Sequence, residues 1–163
     1  MYPTTELEAL EALRGEDAVL AATAEALLWR TWCRSGEPEV DRLFRAGVEA
    51  VERGQLAAAE ESFDRVIELA PNFAEGWNKR ATVRYMRKNF LGSVADCQET
   101  LARNPNHFGA CSGQGLCHMS LNEYREAAIC FSRALEIHPH LSAVRHNLAL
   151  ARAENSNGDE YLN

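Results

Sequence analysis

The chain has 163 residues, with 24 acidic and 17 basic side chains and 46% hydrophobic residues. That composition suits a folded protein rather than a disordered one, and the length fits one domain or a short repeat array. A net charge of −7 argues against general binding to nucleic acid or anionic lipid, both of which need a basic surface.

The acidic excess is uneven. Residues 1–39 hold eight acids against three arginines, whereas residues 40–141 hold thirteen acids against twelve bases. The first residues carry Glu6, Glu8 and Glu11 and no base before Arg14, unlike a secretory or organellar leader. A cytoplasmic location is therefore expected, or an organelle stroma or matrix if a leader has been removed. Thr5 followed by Glu8 is a capping-box pattern, and Gly15 stands at a helix stop. Residues 16–34 place Leu20, Ala24, Leu28 and Trp32 at spacings of four, hence on one apolar face, before Gly36 and Pro38. This predicts an acidic helical hairpin over 1–39, packed on whatever follows it first.

Beyond residue 39 the chain repeats itself every 34 residues. Pro71, Pro105 and Pro139 fix the register. Three further columns agree with it: Gly47, Ala81 and Gly115; Ala59, Ser93 and Ala127; Phe63, Cys97 and Phe131. Each unit reads as two helices, the second ending before the proline, which cannot continue a helix. Turns fall at Gly54-Gln55, Lys88-Asn89 and Leu121-Asn122. The small column lets paired helices approach closely, and the Phe column fills the seam above it. The units span 40–73, 74–107 and 108–141. A single helix follows over 142–155, with Leu148 and Ala149 in register, and a polar tail over 156–163.

These residues resemble the tetratricopeptide repeat family, most closely at Gly115, Ala127, Phe131, Ala134 and Pro139. The resemblance implies an all-α, right-handed helix-turn-helix solenoid of three units, with the N-terminal hairpin and a C-terminal capping helix added. Arg80 and Arg84 depart from the family, standing where an apolar and an aromatic residue are usual.

Other chemistry finds little support. The five cysteines are odd in number and contain no CxxC pattern, so neither a disulfide framework nor a zinc site is expected. Gly113-Gln-Gly115 lacks the rest of a phosphate loop and follows no strand. The uncharged stretch Phe108 to Asn122 is too short and too polar to cross a bilayer. No nucleophile with its base is apparent. No metal, cofactor or catalytic residue is expected.

The family lines its concave face with the first helix of each unit. By register this implies Phe44 and Val48 from the first unit, and Asn78, Lys79, Thr82, Tyr85 and Met86 from the second. Ser112, Leu116 and Met119 come from the third, and His146 and Asn147 from the cap. Such an apolar, Met-bearing surface suits a peptide or helix. Some family members grip the C-terminal carboxylate of the chaperones Hsp70 and Hsp90 with Lys and Asn. Here Phe44, Val48, Gly109 and Gly113 stand at those places, so that clamp is not expected. Lys79, Arg80, Arg84, Arg87 and Lys88 form a basic cluster. Two readings stay open for it: neutralisation by acids of the preceding helix (Glu60, Glu61, Asp64), or docking of an acidic peptide or carboxylate. The expected function is non-catalytic protein–protein interaction, as an adaptor, scaffold or assembly factor. The alternatives are a regulatory or carrier subunit of an enzyme, or self-association through the N-terminal hairpin.

Overall fold

Helices α1 (Glu6–Arg14) and α2 (Ala18–Trp32) form the N-terminal hairpin, and three further hairpins follow in the computed structural model, which describes residues 2–160 and side chains through Ser156. These are α3 (Pro38–Glu52) with α4 (Leu56–Leu69), α5 (Ala74–Met86) with α6 (Phe90–Arg103), and α7 (Phe108–Ser120) with α8 (Tyr124–Ile137). The last helix, α9, runs from Ser142 to Glu160. No strand occurs among the described residues. From α3 onward each helix packs on the next, so the fold is an all-α helical repeat. The polar tail expected from residue 156 does not begin there, because the α9 backbone stays helical to Glu160.

Local signals act where the chain chemistry places them. The Thr5 hydroxyl accepts from the Glu8 N–H, and the Glu8 carboxylate accepts from the Thr5 N–H, which closes the capping box. Asp17 caps α2 by accepting from Val19 and Leu20. Each interhelical turn inside a repeat holds one residue in the left-handed region: Gly54 (φ 72°), Lys88 (φ 62°) and Asn122 (φ 61°).

The seam between paired helices follows the small-and-large alternation. A Cβ on Gly47 would come within 2.7 Å of the Phe63 ring, and one on Gly115 within 2.5 Å of Phe131. Both rings are fully buried, and each contributes about 2–3 kcal/mol by removal from water. In the middle unit Ser93 replaces the alanine. Its hydroxyl donates to the Ala81 carbonyl at 2.7 Å, so the polar side chain ties α6 to α5.

Arg80 and Arg84 do not disrupt that unit, because acids on both neighbouring helices face them. Arg80 reaches Asp64 on α4 at 2.7 Å and Asp96 on α6 at 2.8 and 2.9 Å. Arg84 reaches Glu60 at 2.9 Å and Asp96 at 3.0 Å. The Arg87 guanidinium also bonds Glu60. Asp96 is 2% exposed, so this network takes the place of an apolar seam. Trp77 lies outside the core, with the Arg80 and Arg103 guanidiniums 5.0 and 4.6 Å from its ring.

The hairpin does not pack on the first repeat, as its place in the chain had suggested. It lies across α5, α7 and the corner between α8 and α9. Two aromatic side chains need a large apolar partner, and Phe108 provides it: Trp29 and Trp32 sit 5.3 and 5.4 Å from its ring. Ala9, Leu10, Leu13, Ala24 and Leu28 share the core of the third repeat.

Candidate functional site

The first helices of the repeats, α5 and α7, form the floor of a concave groove, and α2 lies over one end of it. Side chains at four-residue spacing on α2 touch successive elements. Glu25 pairs with His138 at 3.2 Å, Trp29 lies on Gly109, and the Cys33 thiol is 4.0 Å from Glu75. A Cβ on Gly109 would come within 2.8 Å of the Trp29 ring, so glycine is what admits the indole. Trp32 stacks on His107 with ring centres 4.7 Å apart.

Beneath the indoles lies a buried polar cluster. The Glu75 side chain is fully buried and accepts from Asn78, from Lys79 at 3.3 Å and from His107 at 2.7 Å. The His107 Nδ1 accepts from the Ala110 N–H, which leaves the proton on Nε2 for Glu75. Every group in the cluster is satisfied within the solenoid. Repeat register puts Asn78 and Lys79 on the groove wall, and nothing in that register puts α2 upon them. The paired indoles of Trp29 and Trp32 were the available signal.

The expected groove residues divide into four sets. Phe44 is a core residue, 5.8 Å from Phe63 and 5.4 Å from Phe73, with Val48 packed half-buried beside it. Asn78 and Lys79 lie under the hairpin. Thr82, Tyr85, Met86, Ser112, Leu116 and Met119 remain on the uncovered part of the groove, with Met86 47% exposed. On α9, His146 is exposed and Asn147 half-buried. Between α5, α6 and α7 the groove floor dips into a cavity of about 100 Å³, bounded by Thr82, Tyr85, Cys97, Gly113 and Leu116. An apolar cavity of roughly 150 Å³ holds a benzene ring, so this one admits a single aliphatic side chain.

The basic cluster on α5 is not a free docking face, because acids of α4 and α6 hold its arginines. Arg80, Arg84 and Arg87 are held by Asp64, Asp96 and Glu60, and Lys88 serves as the left-handed turn residue. Burial pushes the Glu60 carboxyl up, but the bonds from Arg84 and Arg87 outweigh it and hold it below its ordinary value. A second open cleft lies between α8 and α9. Arg125, Arg133, Arg152 and Glu136 line it together with the exposed Ile129.

The cysteines offer no reactive centre. Burial pushes the thiols of Cys33, Cys111 and Cys130 up to about 11, and those of Cys97 and Cys117 upward as well. Their thiolates are therefore scarce near neutrality. Among the described residues no group of three or more His, Cys, Asp or Glu is placed to hold a metal. No described helix is long and apolar enough to cross a membrane.

Family models of the tetratricopeptide repeat match residues 44–108 and 108–141. A tetratricopeptide-repeat-containing protein of Rhizobium etli is 32% identical over 108 residues, covering 66% of this chain and 53% of that protein. The chain thus spans about half the length of this relative, and it spans 28% and 24% of two others. Among solved structures, the TPR2B domain of yeast Sti1 in complex with pHsp70 superposes with a TM-score of 0.68 at 20% identity. It covers 72% of this chain and 99% of that one. MamA superposes with a TM-score of 0.70 at 19% identity, over 99% of this chain and 91% of that one. At such identities the structural matches establish the fold alone.

Proposed function

The chain belongs to the tetratricopeptide repeat family, and from that premise we propose that it is a non-catalytic interaction module, an adaptor or assembly factor. Its open concave groove takes a peptide or short helix of a partner protein. The observation that carries this reading is the cavity bounded by Thr82, Tyr85, Cys97, Gly113 and Leu116, which opens onto a surface of small and apolar side chains. One aliphatic anchor fits the cavity, and Met86 and Met119 supply adaptable walls. The Sti1 domain binds pHsp70, but a terminal carboxylate is not the ligand proposed for this groove. Gly109 and Gly113 offer no charge, and the buried Glu75 repels one. An acidic ligand is not favoured either, since the arginines of α5 are already paired. Five free thiols fit a reducing compartment such as the cytoplasm.

The test is affinity purification of the full chain from its native source, followed by mass spectrometry, alongside a Thr82→Arg/Leu116→Arg chain. The proposal expects partners to be lost from the variant while its helical circular dichroism is kept. Unchanged recovery by the folded variant refutes it.

A further inference from the structure

The hairpin shares apolar residues with the core of the third repeat, but what α2 sets on the groove floor is mainly aromatic and makes few hydrogen bonds there. Beneath the indoles the polar groups find most of their partners on their own side. Trp29 Nε1 donates to Glu25 at 3.3 Å and Trp32 Nε1 to Glu6 at 2.8 Å, both within the hairpin. Glu75 takes its bonds from Asn78, Lys79 and His107, all within the solenoid. What crosses between them is mainly aromatic: Trp29 on Gly109, Phe108 and Lys79, and Trp32 on His107. Three polar contacts also cross: the Cys33 thiol with Glu75, Glu25 with the buried His138, and the Gly15 carbonyl with His140. Lifting the hairpin leaves Glu75 its three donors within the solenoid, and the one buried group that loses its partner is His138. The join permits such movement. Gly36 has φ 85° with nothing near its missing side chain, and α2 shares no extended packing with α3.

We propose that the groove recognises an amphipathic helix bearing two aromatic residues three positions apart, and that α2 is the chain's own copy of that ligand, displaced by a partner helix of the same pattern. This deepens the groove reading of the preceding section and rests on it. The partner's pattern is read from the seated occupant: aromatic anchors at the places of Trp29 and Trp32, on a helix whose Ala24 and Leu28 are also buried. Large aromatic anchors in a desolvated seat carry most of the binding energy of such interfaces. A tethered competitor lowers the apparent affinity for any helix in trans by the fraction of chains whose groove is free.

A fluorescein-labelled synthetic peptide of residues 16–34 is the probe, titrated by anisotropy into the full chain and into its Trp29→Ala form. The Trp29→Ala chain is expected to bind roughly tenfold more tightly, since its internal competitor has lost one anchor. Adding Gly109→Leu abolishes that binding by filling the seat. Hydrogen exchange of the Trp29→Ala chain guards against simple unfolding: amides of α1 and α2 exchange faster while those of α3–α9 keep their protection. Equal peptide affinity for the two chains overturns the proposal. So does a uniform loss of protection, which makes the hairpin inseparable from the repeats. If the peptide result is negative while Thr82→Arg/Leu116→Arg still loses its partners, the aromatic-helix proposal falls and the groove reading stands.

Discussion

Trp29 rests on the bare Cα of Gly109, where an added Cβ would lie 2.8 Å from the indole and 3.3 Å from the His107 ring. Four residues on, a Cβ at Gly113 would meet only the Cys97 sulfur, at an ordinary 3.7 Å. Two glycines on one helix therefore answer the same substitution differently. Gly109→Ala forces the indole off its seat and lowers stability by about 1–3 kcal/mol, as overpacking does. Gly113→Ala relieves the helix of a flexible residue and raises stability by about 0.5–1 kcal/mol. Urea unfolding of both variants checks the pair, and equal shifts of the same sign contradict it.

Asp96 is the buried centre of the network that replaces an apolar seam in the middle repeat. Arg80 and Arg84 each bond it, and only 2% of its side chain is exposed. Asp96→Ala leaves two guanidiniums competing for Glu60 and Asp64, and breaking a buried pair from one side costs about 3–5 kcal/mol. Truncating both sides, in Asp96→Ala/Arg80→Met, is expected to cost less than Asp96→Ala alone. Thermal unfolding of the single and double variants measures the difference.

The repeats were legible because their causes are local. Prolines at one spacing end the second helices, and glycine facing phenylalanine sets the helix-pair seam, so α3 to α8 could be placed from the sequence. The capping box at Thr5 and Glu8 is equally local. The hairpin's seat was not legible, because Trp29 meets His107, Phe108 and Gly109 across nearly eighty residues of chain. No periodicity encodes that meeting. The arginines of α5 show an intermediate case. Glu60 and Asp64 were foreseeable as partners, since they lie on the helix just before. Asp96 was not, because only folding brings α6 to the other side of the same side chains. Phe44 was misplaced for a related reason: register assigned it to the groove wall, but Phe73 closes over it.

The three left-handed turn residues are matched in backbone but not in side chain. Gly54 has no Cβ to strain, Asn122 tolerates the region, and Lys88 is the poorest fit of the three. Lys88→Gly is therefore expected to stabilise by about 0.5–1 kcal/mol, Asn122→Gly by less, and Gly54→Ala to destabilise by about 1 kcal/mol. The ranking, read from denaturant midpoints, is the result to check. A Lys88→Gly chain less stable than the parent contradicts it.

Stability responds to acid through Glu60 in a defined direction. Its carboxyl is held below the ordinary 4.5 in the folded chain, because hydrogen bonds and charge from Arg84 and Arg87 outweigh burial. A group depressed by folding contributes its full stability above its unfolded value and loses it as pH falls through the folded one. Glu60→Gln removes the charge and keeps the shape. The melting temperature of the parent should therefore exceed that of Glu60→Gln by a constant margin at pH 6 to 7. That margin should shrink steadily once the pH drops below about 4.5. Paired thermal melts across that range test the sign directly: a margin that grows toward low pH shows that Glu60 is not held by its arginines.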